Sequence, residues 1–391
     1  MKVCGVRDAW HLDAGIVFLN HGSFGACPKA VLEHQQSLRL QLEREPVRFF
    51  IRELEPLWDA ARRALADFVG CDANDLVSVP NATTGVNAVL QSLGLQPGDD
   101  ILLADQAYPA CRNAVRATCE RRGTHAHVVA IPFPPPEPDA ICEAFLAQVT
   151  DRTRLALIDH IASPTGAIFP VERLVPALQD RGVRVLVDGA HAPGMIPLNL
   201  TALGADYYVG NCHKWMCAPK GAGFLHVAAE HQAHVRPVVV SLGYQTPRAE
   251  RSDFLTEFGW TGTQDPTAFL TVPFAIEYLA SLHPGGWAGL RARNHSLLVE
   301  ALPIIAQSLR VDASIDDGWF GSMASLPLPD RDGDEPRPGM LDTWQDVLFE
   351  RYAIEVPVVS WPRHPKRLIR LSAHLHNELG DYQALAQALA R

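Results

Sequence analysis

Between residues 76 and 209 the chain repeats one pattern, a short apolar run followed by a stretch of helical length and spacing. Strands that alternate with helices in this way build a parallel sheet with crossover helices. The runs at 76–79, 100–104, 127–131, 155–158, 183–187 and 205–209 are the predicted strands, and 110–122 and 171–181 are predicted helices. The expected fold class is therefore α/β, a doubly wound, mostly parallel sheet whose ligands bind outside the carboxyl ends of the strands. A single core usually stops growing near ~250 to 300 residues. This chain has 391, 47% of them apolar, so a second, smaller unit is expected. From about Gly285 the pattern changes to a long helix over 287–309, a Pro/Asp/Gly-rich loop over 328–339, another helix and a terminal strand. The reading divides the chain into an N-terminal arm (1–18), a large α/β domain (19–284) and a small C-terminal α+β domain (285–391). The proline-rich segment 132–138 reads as a rigid surface connection.

The formal charge of -10 and the pI near 5.9 argue against a surface that tracks nucleic-acid phosphates. The eight cysteines have no CxxC spacing, so neither a disulfide framework nor a metal site is expected. No run approaches the ~20 apolar residues of a membrane span. The N-terminal stretch, which carries Asp8, His11 and Asp13, lacks the apolar core of a signal peptide. The default expectation is a soluble cytoplasmic protein without a membrane partner.

Three constellations carry chemistry. In VRVLVDGAHAPG, Asp188 directly follows a buried-strand run, at the carboxyl end where an α/β ligand sits. Its carboxylate suits a cationic ring nitrogen such as that of pyridoxal 5'-phosphate (PLP), which needs this partner to act as an electron sink. His191, three residues on, falls alongside such a ring. In ADYYVGNCHKWMCAPKGAGF a further strand leads into a polar turn with His213, Lys214 and Trp215, then a glycine-rich stretch. A lysine amine attacks a carbonyl only when unprotonated, which requires desolvation or neighbouring cations. In NATTGVNAVLQSL, Thr83 and Thr84 open an amphipathic helix whose free N–H groups and dipole favour a phosphate. Taken singly, each has a plainer reading: Asp188 as a helix cap, Lys214 as a solvated loop lysine, the threonines as an ordinary cap, His191 and His213 as structural histidines.

Order and spacing tie them together. NATTGVN, DGAHAPG, NCHKW with its lysine 26 residues after the aspartate, WTGTQD and RLSAHLHN follow one another as in the class V aminotransferases, PLP enzymes of fold type I. Within that family the chain resembles the isopenicillin N epimerase-like branch, from LNHGSFGACP (19–28) to Asn377. The resemblance implies PLP held by Lys214 as a Schiff base, with Asp188 at its ring nitrogen. It places Thr83, Asn211 and His213 at the phosphate, Tyr108 stacked on the ring, and Ser163 near the phenolic oxygen. It further implies a homodimer with shared active sites, in which Thr263 reaches the phosphate of the neighbouring subunit. Arg370 matches the arginine that clamps the α-carboxylate of a small amino-acid substrate, a task suited to its planar fork. The LNHGS segment brings Asn20 and His21 to the substrate side, with His21 a candidate second acid. Asn211 and Cys212 depart from the Ser/Thr and small residue usual before the His-Lys pair, which leaves the phosphate contacts open.

The implied activity is chemistry at the α-carbon of an amino acid joined through its amino group to the cofactor. Epimerisation, transamination and β-elimination by a C–S lyase resembling hercynylcysteine sulfoxide lyases share loss of the α-proton, so the cofactor alone does not choose among them. Cysteine desulfuration is disfavoured, since the family's desulfurases carry a nucleophilic thiol in the C-terminal domain and no cysteine follows Cys217. A catalytically silent PLP-fold binding protein is the non-enzyme alternative, against which Lys214, Asp188 and Arg370 all stand.

Overall fold

The computed structural model describes residues 6–312, 316–330 and 341–390. Seven strands form the large sheet: β1 (Leu76–Val79), β2 (Asp100–Ala104), β3 (His125–Val129), β4 (Thr153–Asp159), β5 (Arg184–Gly189), β6 (Tyr207–Asn211) and β7 (Gly223–Val227). Their spatial order is β1-β7-β6-β5-β4-β2-β3. Only β7 runs antiparallel to its neighbours. Strand periodicity of two sends alternate side chains to opposite faces. Leu102, Ala104, Ile158 and Val187 accordingly enter one core while Ile101, Leu103, Leu157 and Leu186 enter the other. With both faces covered, the central strands must be apolar almost throughout, which is why they were legible as continuous runs.

The chain steps outward from β2 to β3 and returns on the other side of β2 as β4. The carboxyl ends of β2, β4 and β5 thus meet where the strand order reverses, the place at which open α/β sheets take their ligands. Helix α1 (Ala82–Ser92) follows β1, α2 (Pro109–Arg122) follows β2 and α3 (Val171–Gln179) precedes β5.

A second, three-stranded antiparallel sheet joins β8 (Met323–Leu328), β9 (Val358–Ser360) and β10 (Arg367–Ser372), with β10 in the middle. Helix α4 (Gly286–Leu309), α5 (Thr343–Tyr352) and α6 (Leu379–Leu389) surround it. Leu298, Ile305, Leu326, Ile369 and Tyr382 share its core with Leu19 from the N-terminal segment. Val17–Phe18 also pairs in parallel with Ile354–Glu355, so the chain's beginning is tied to its C-terminal part.

Three expectations change. The strand read at 127–131 lies at His125–Val129, because register with Asp100–Ala104 places it and its HAH start is too polar to show as a strand. Strand β7 lay hidden in the glycine-rich stretch after Lys214. The terminal strand is present as β10, but a further helix, α6, follows it, opened by a reciprocal capping box between Glu378 and Asp381. Most of the expected 328–339 loop lies outside the described residues.

Candidate active site

Lys214 sits in the turn that follows β6, at the carboxyl end of the sheet. The turn is closed by Cys212, whose N–H donates to the Ala222 carbonyl at 3.0 Å, and by Ala218 N–H, which donates to the Cys212 carbonyl at 3.0 Å. Gly25 crosses directly behind it: with φ at +70°, a Cβ there would lie 2.1 Å from the His213 carbonyl oxygen. Only glycine permits both that dihedral and that approach.

The Lys214 amine is buried, and its Nζ lies 3.1 Å from Nε2 of His191. Trp215 Nε1–H donates to His191 Nδ1 at 3.4 Å. That bond makes Nδ1 an acceptor, so in the neutral ring the proton is on Nε2, which donates to the amine's lone pair. Burial holds His191 well below the ordinary imidazole range. Burial, and secondarily the Arg370 charge, lowers Lys214 from 10.5 to about 8. The pair is thus built for an unprotonated, nucleophilic lysine.

Asp188 ends β5 and is buried, accepting from Ala190 N–H at 3.0 Å and from the Cys111 thiol at 3.2 Å. Burial pushes its carboxyl above the ordinary range. Its two neutral donors leave room for a cationic partner. Tyr108, 42% exposed, presents its ring face 6.0 Å from Lys214 Nζ.

Arg370 projects from the central strand of the small sheet. One terminal nitrogen donates to Ser163, at 2.6 Å to the carbonyl oxygen and 3.2 Å to Oγ, and the other to Ser23 Oγ at 2.9 Å. Its Nε is buried without a partner, and no carboxylate pairs with it among the described residues. Burial lowers the guanidinium to about 10. A buried cation without an anion is unfavourable in the protein alone and fits an anion brought by a ligand. Asn20 supports this arrangement from behind, accepting from Ser23 Oγ at 2.5 Å and donating to Glu355 at 2.8 Å.

Other expected residues are placed differently. Asn81, rather than a threonine, caps α1: its side chain accepts from Thr84 N–H at 2.9 Å and Thr84 Oγ1 at 3.1 Å. Asn211 accepts from Ala82 N–H at 2.9 Å, which ties the strand end to the helix start and leaves its amide nitrogen as a donor. Thr83 stands between them at the same helix terminus. His213 uses Nδ1 on the Ala222 carbonyl at 3.0 Å, and burial lowers it to about 4. Its Nε2 can donate to a phosphate only after protonation, which the phosphate's own charge favours. Thr263 is exposed on a separate recess with Gln36, Arg39, Glu43 and Asp265 and is not brought to Lys214 within this chain.

His21 is fully buried and is not a free acid at the substrate side. Its Nδ1 meets His376 Nε2 at 3.1 Å and its Nε2 meets the Lys214 carbonyl at 3.1 Å, while burial lowers it to about 3. His21, His374 and His376 cluster closely enough to suggest metal ligands. However, His21 and His374 stack with centroids 4.1 Å apart and planes 13° apart, so an ion in the plane of one ring lies well outside the plane of the other. Sequence reasoning missed Ser23, Cys111 and Asp159. Asp159 had a visible signal, an acid ending an apolar run as Asp188 does.

A depressed lysine amine and, among the described residues, a buried carboxylate in no salt bridge and a buried arginine in none converge at the switch point of a doubly wound sheet. This fold and donor set define a PLP-dependent enzyme of fold type I: Asp188 fits the ring nitrogen, Lys214 the carbonyl carbon, and the start of α1 the phosphate. The chain belongs to the class V aminotransferase family, whose model matches residues 28–311. It is 35% identical to the isopenicillin N epimerase of Amycolatopsis lactamdurans, over 98% of this chain and 96% of that one. It is 30% identical to a probable chloroplastic L-cysteine desulfhydrase of Arabidopsis thaliana, over 97% of this chain and 83% of that one. Among solved structures it superposes on a C-DES variant with glycine covalently linked to its PLP cofactor, at a TM-score of 0.78 and 20% identity, over 96% and 97% of the chains.

Proposed function

We propose that this enzyme inverts the α-carbon of an amino-acid moiety, as an isopenicillin N epimerase-like epimerase. The observation that carries the reading is the pairing of a buried, readily deprotonated Lys214 with an Arg370 that lacks an acid partner. PLP, when bound, supplies the sink for the electron pair left on the α-carbon. Arg370 takes the substrate carboxylate, which fixes the α-carbon's orientation. Lys214 Nζ would hold the cofactor and is the base that takes the α-proton on its own face, and inversion then requires a proton delivered to the opposite face of the α-carbon. His191 keeps that amine unprotonated and directed, and Trp215 fixes the His191 tautomer. Asp188 supplies the negative charge opposite the ring nitrogen. Similarity across nearly the full length of an epimerase supports inversion.

A second reading, β-elimination by a C–S lyase, is supported by the similarity to a desulfhydrase. Persulfide chemistry on a protein thiol stays disfavoured: burial raises Cys27 and Cys71 to about 12 and also pushes Cys111 and Cys217 above the ordinary thiol range. A homodimer in which Thr263 completes the partner's phosphate site goes with this proposal, in keeping with the exposed apolar Val239, Val240 and Leu242.

The test is an amino-acid panel with products resolved by chiral chromatography and mass spectrometry. Inverted substrate supports the epimerase. Pyruvate with a released thiol establishes the lyase, a keto acid with aminated cofactor establishes transamination, and no α-proton exchange with any substrate points to a silent binding protein.

A further inference from the structure

One buried acid has no place in the chemistry above. Asp159 ends β4 and is aligned in parallel register with Asp188 at the end of β5. Neighbouring strands lie roughly 4.8 Å apart, and register-matched side chains leave a sheet on the same face. Two carboxyl groups therefore stand side by side beneath the cofactor position, both buried.

Their surroundings are unequal. Each Asp188 oxygen has a donor, Ala190 N–H on Oδ1 and the Cys111 thiol on Oδ2. Asp159 is reached by the Tyr108 backbone N–H, but its Oδ2 is buried with neither solvent nor a hydrogen-bond partner. A carboxylate leaves such an oxygen's charge uncompensated, whereas an un-ionised acid places its hydroxyl there. Of the cations only Arg112 favours ionisation of Asp159, and it is the smallest of the influences on that carboxyl. Lys214 acts on Asp188, and Arg112, which does reach Asp159, is exposed on α2 with its guanidinium on the Asp105 carbonyl. Cys111 and Tyr208, the remaining titratable neighbours, are held neutral first by burial and then by the Asp188 charge.

We propose that Asp159 is a positioning residue that stays un-ionised beside Asp188, so that the pair carries one negative charge and Asp188 carries it. The inference deepens the cofactor reading and rests on Asp188 as the ring-nitrogen partner. At a separation of roughly 5 Å and an effective dielectric constant near 20, a second charge would raise its neighbour's proton affinity by about two orders of magnitude. Asp188 would then compete with the ring nitrogen for the proton that the ring must keep. A neutral Asp159 removes that competition, and burial together with the neighbouring Asp188 charge drives it in this direction.

Infrared spectroscopy of the holoenzyme reads the protonation state directly. Wild type minus Asp159→Asn is expected to show, at neutral pH, the carbonyl stretch of an un-ionised carboxylic acid, shifted down in deuterated water. Because the amide is neutral and nearly isosteric with the acid, the variant should keep bound cofactor and exchange the substrate α-proton within about threefold of wild type. In Asp188→Asn, with Asp159 intact, the same band should disappear at a pH about two units lower, since the repelling charge has gone. That second comparison stands if Asp159→Asn does not fold. Absence of an Asp159 acid band in the wild type, an unmoved titration in Asp188→Asn, or a slowing of α-proton exchange in Asp159→Asn equal to that in Asp188→Asn would overturn the proposal. The band is independent of turnover, so its absence is distinguishable from failure of the proposed epimerase chemistry.

Discussion

Replacing Arg370 with leucine separates a substrate clamp from a structural arginine, because the two roles predict opposite balances of activity and stability. Burial lowers the guanidinium from 12.5 to about 10. That difference corresponds to a penalty of about 3 kcal/mol for keeping the charge in the folded chain. Against it stand three hydrogen bonds, to the carbonyl and hydroxyl of Ser163 and the hydroxyl of Ser23. Bonds from a charged group contribute about 1.5 kcal/mol or more each, and two of the three share one terminal nitrogen, so the set contributes roughly 3 kcal/mol. The terms nearly cancel, so Arg370→Leu should shift the unfolding midpoint by less than about 5 °C. Catalysis behaves otherwise. Losing a paired, charge-assisted contact to the substrate carboxylate removes about 3 to 4 kcal/mol, a fall of roughly 10² to 10³ in kcat/KM. The assay is α-proton exchange in deuterated water, run on an amino acid and on the matching amine without a carboxylate, beside calorimetric unfolding. The amino acid should lose its advantage over the amine in the variant. Equal losses for both, accompanied by a large drop in unfolding temperature, would refute the clamp and make Arg370 a structural residue.

Other expectations follow from the same geometry. Asp188→Asn should retain cofactor but slow α-proton exchange at least about 10²-fold, as read by NMR of the deuterated product, because the ring nitrogen loses its charged partner. Cofactor uptake by the apoprotein, followed by visible absorbance, should rise with pH and level off above about 8, where Lys214 becomes unprotonated. Since the folded chain lowers this base from 10.5, its charged form opposes folding below about 8, and the penalty fades as pH climbs between those values. Mixing Lys214→Ala subunits with inactivating Thr263 variants, under conditions where subunit exchange is verified, should restore partial activity in mixed dimers. No rescue would confine Thr263 to its own subunit.

Much of this site was legible because a parallel sheet concentrates its chemistry at strand ends. Asp188 and Lys214 each follow a strand that reads as an apolar run, so their position was implied by the fold before any contact was known. What stayed hidden depends on tertiary approach. His21 lies in a motif that suggested the substrate side, yet the chain reverses at Gly25 and packs the imidazole behind the Lys214 backbone. The capping role of Asn81 was masked by the adjacent threonines, whose hydroxyls suit a phosphate equally well from sequence alone. Ser23 and Cys111 are ordinary residues by type, and their roles come from distant partners, Arg370 and Asp188. β7 escaped because its alignment is set by two antiparallel neighbours and not by its own glycine-rich lead-in.

The measurement that bears most directly on the central claim is borohydride reduction of the purified holoenzyme, followed by peptide mapping with mass spectrometry. The burial of Lys214, its lowered proton affinity and its contact with His191 predict loss of the visible band and a single pyridoxyl adduct on Lys214, absent from Lys214→Ala. An adduct on Lys220, whose ammonium instead donates to the Gly25 carbonyl at 2.7 Å, or no adduct on any lysine, would contradict the account.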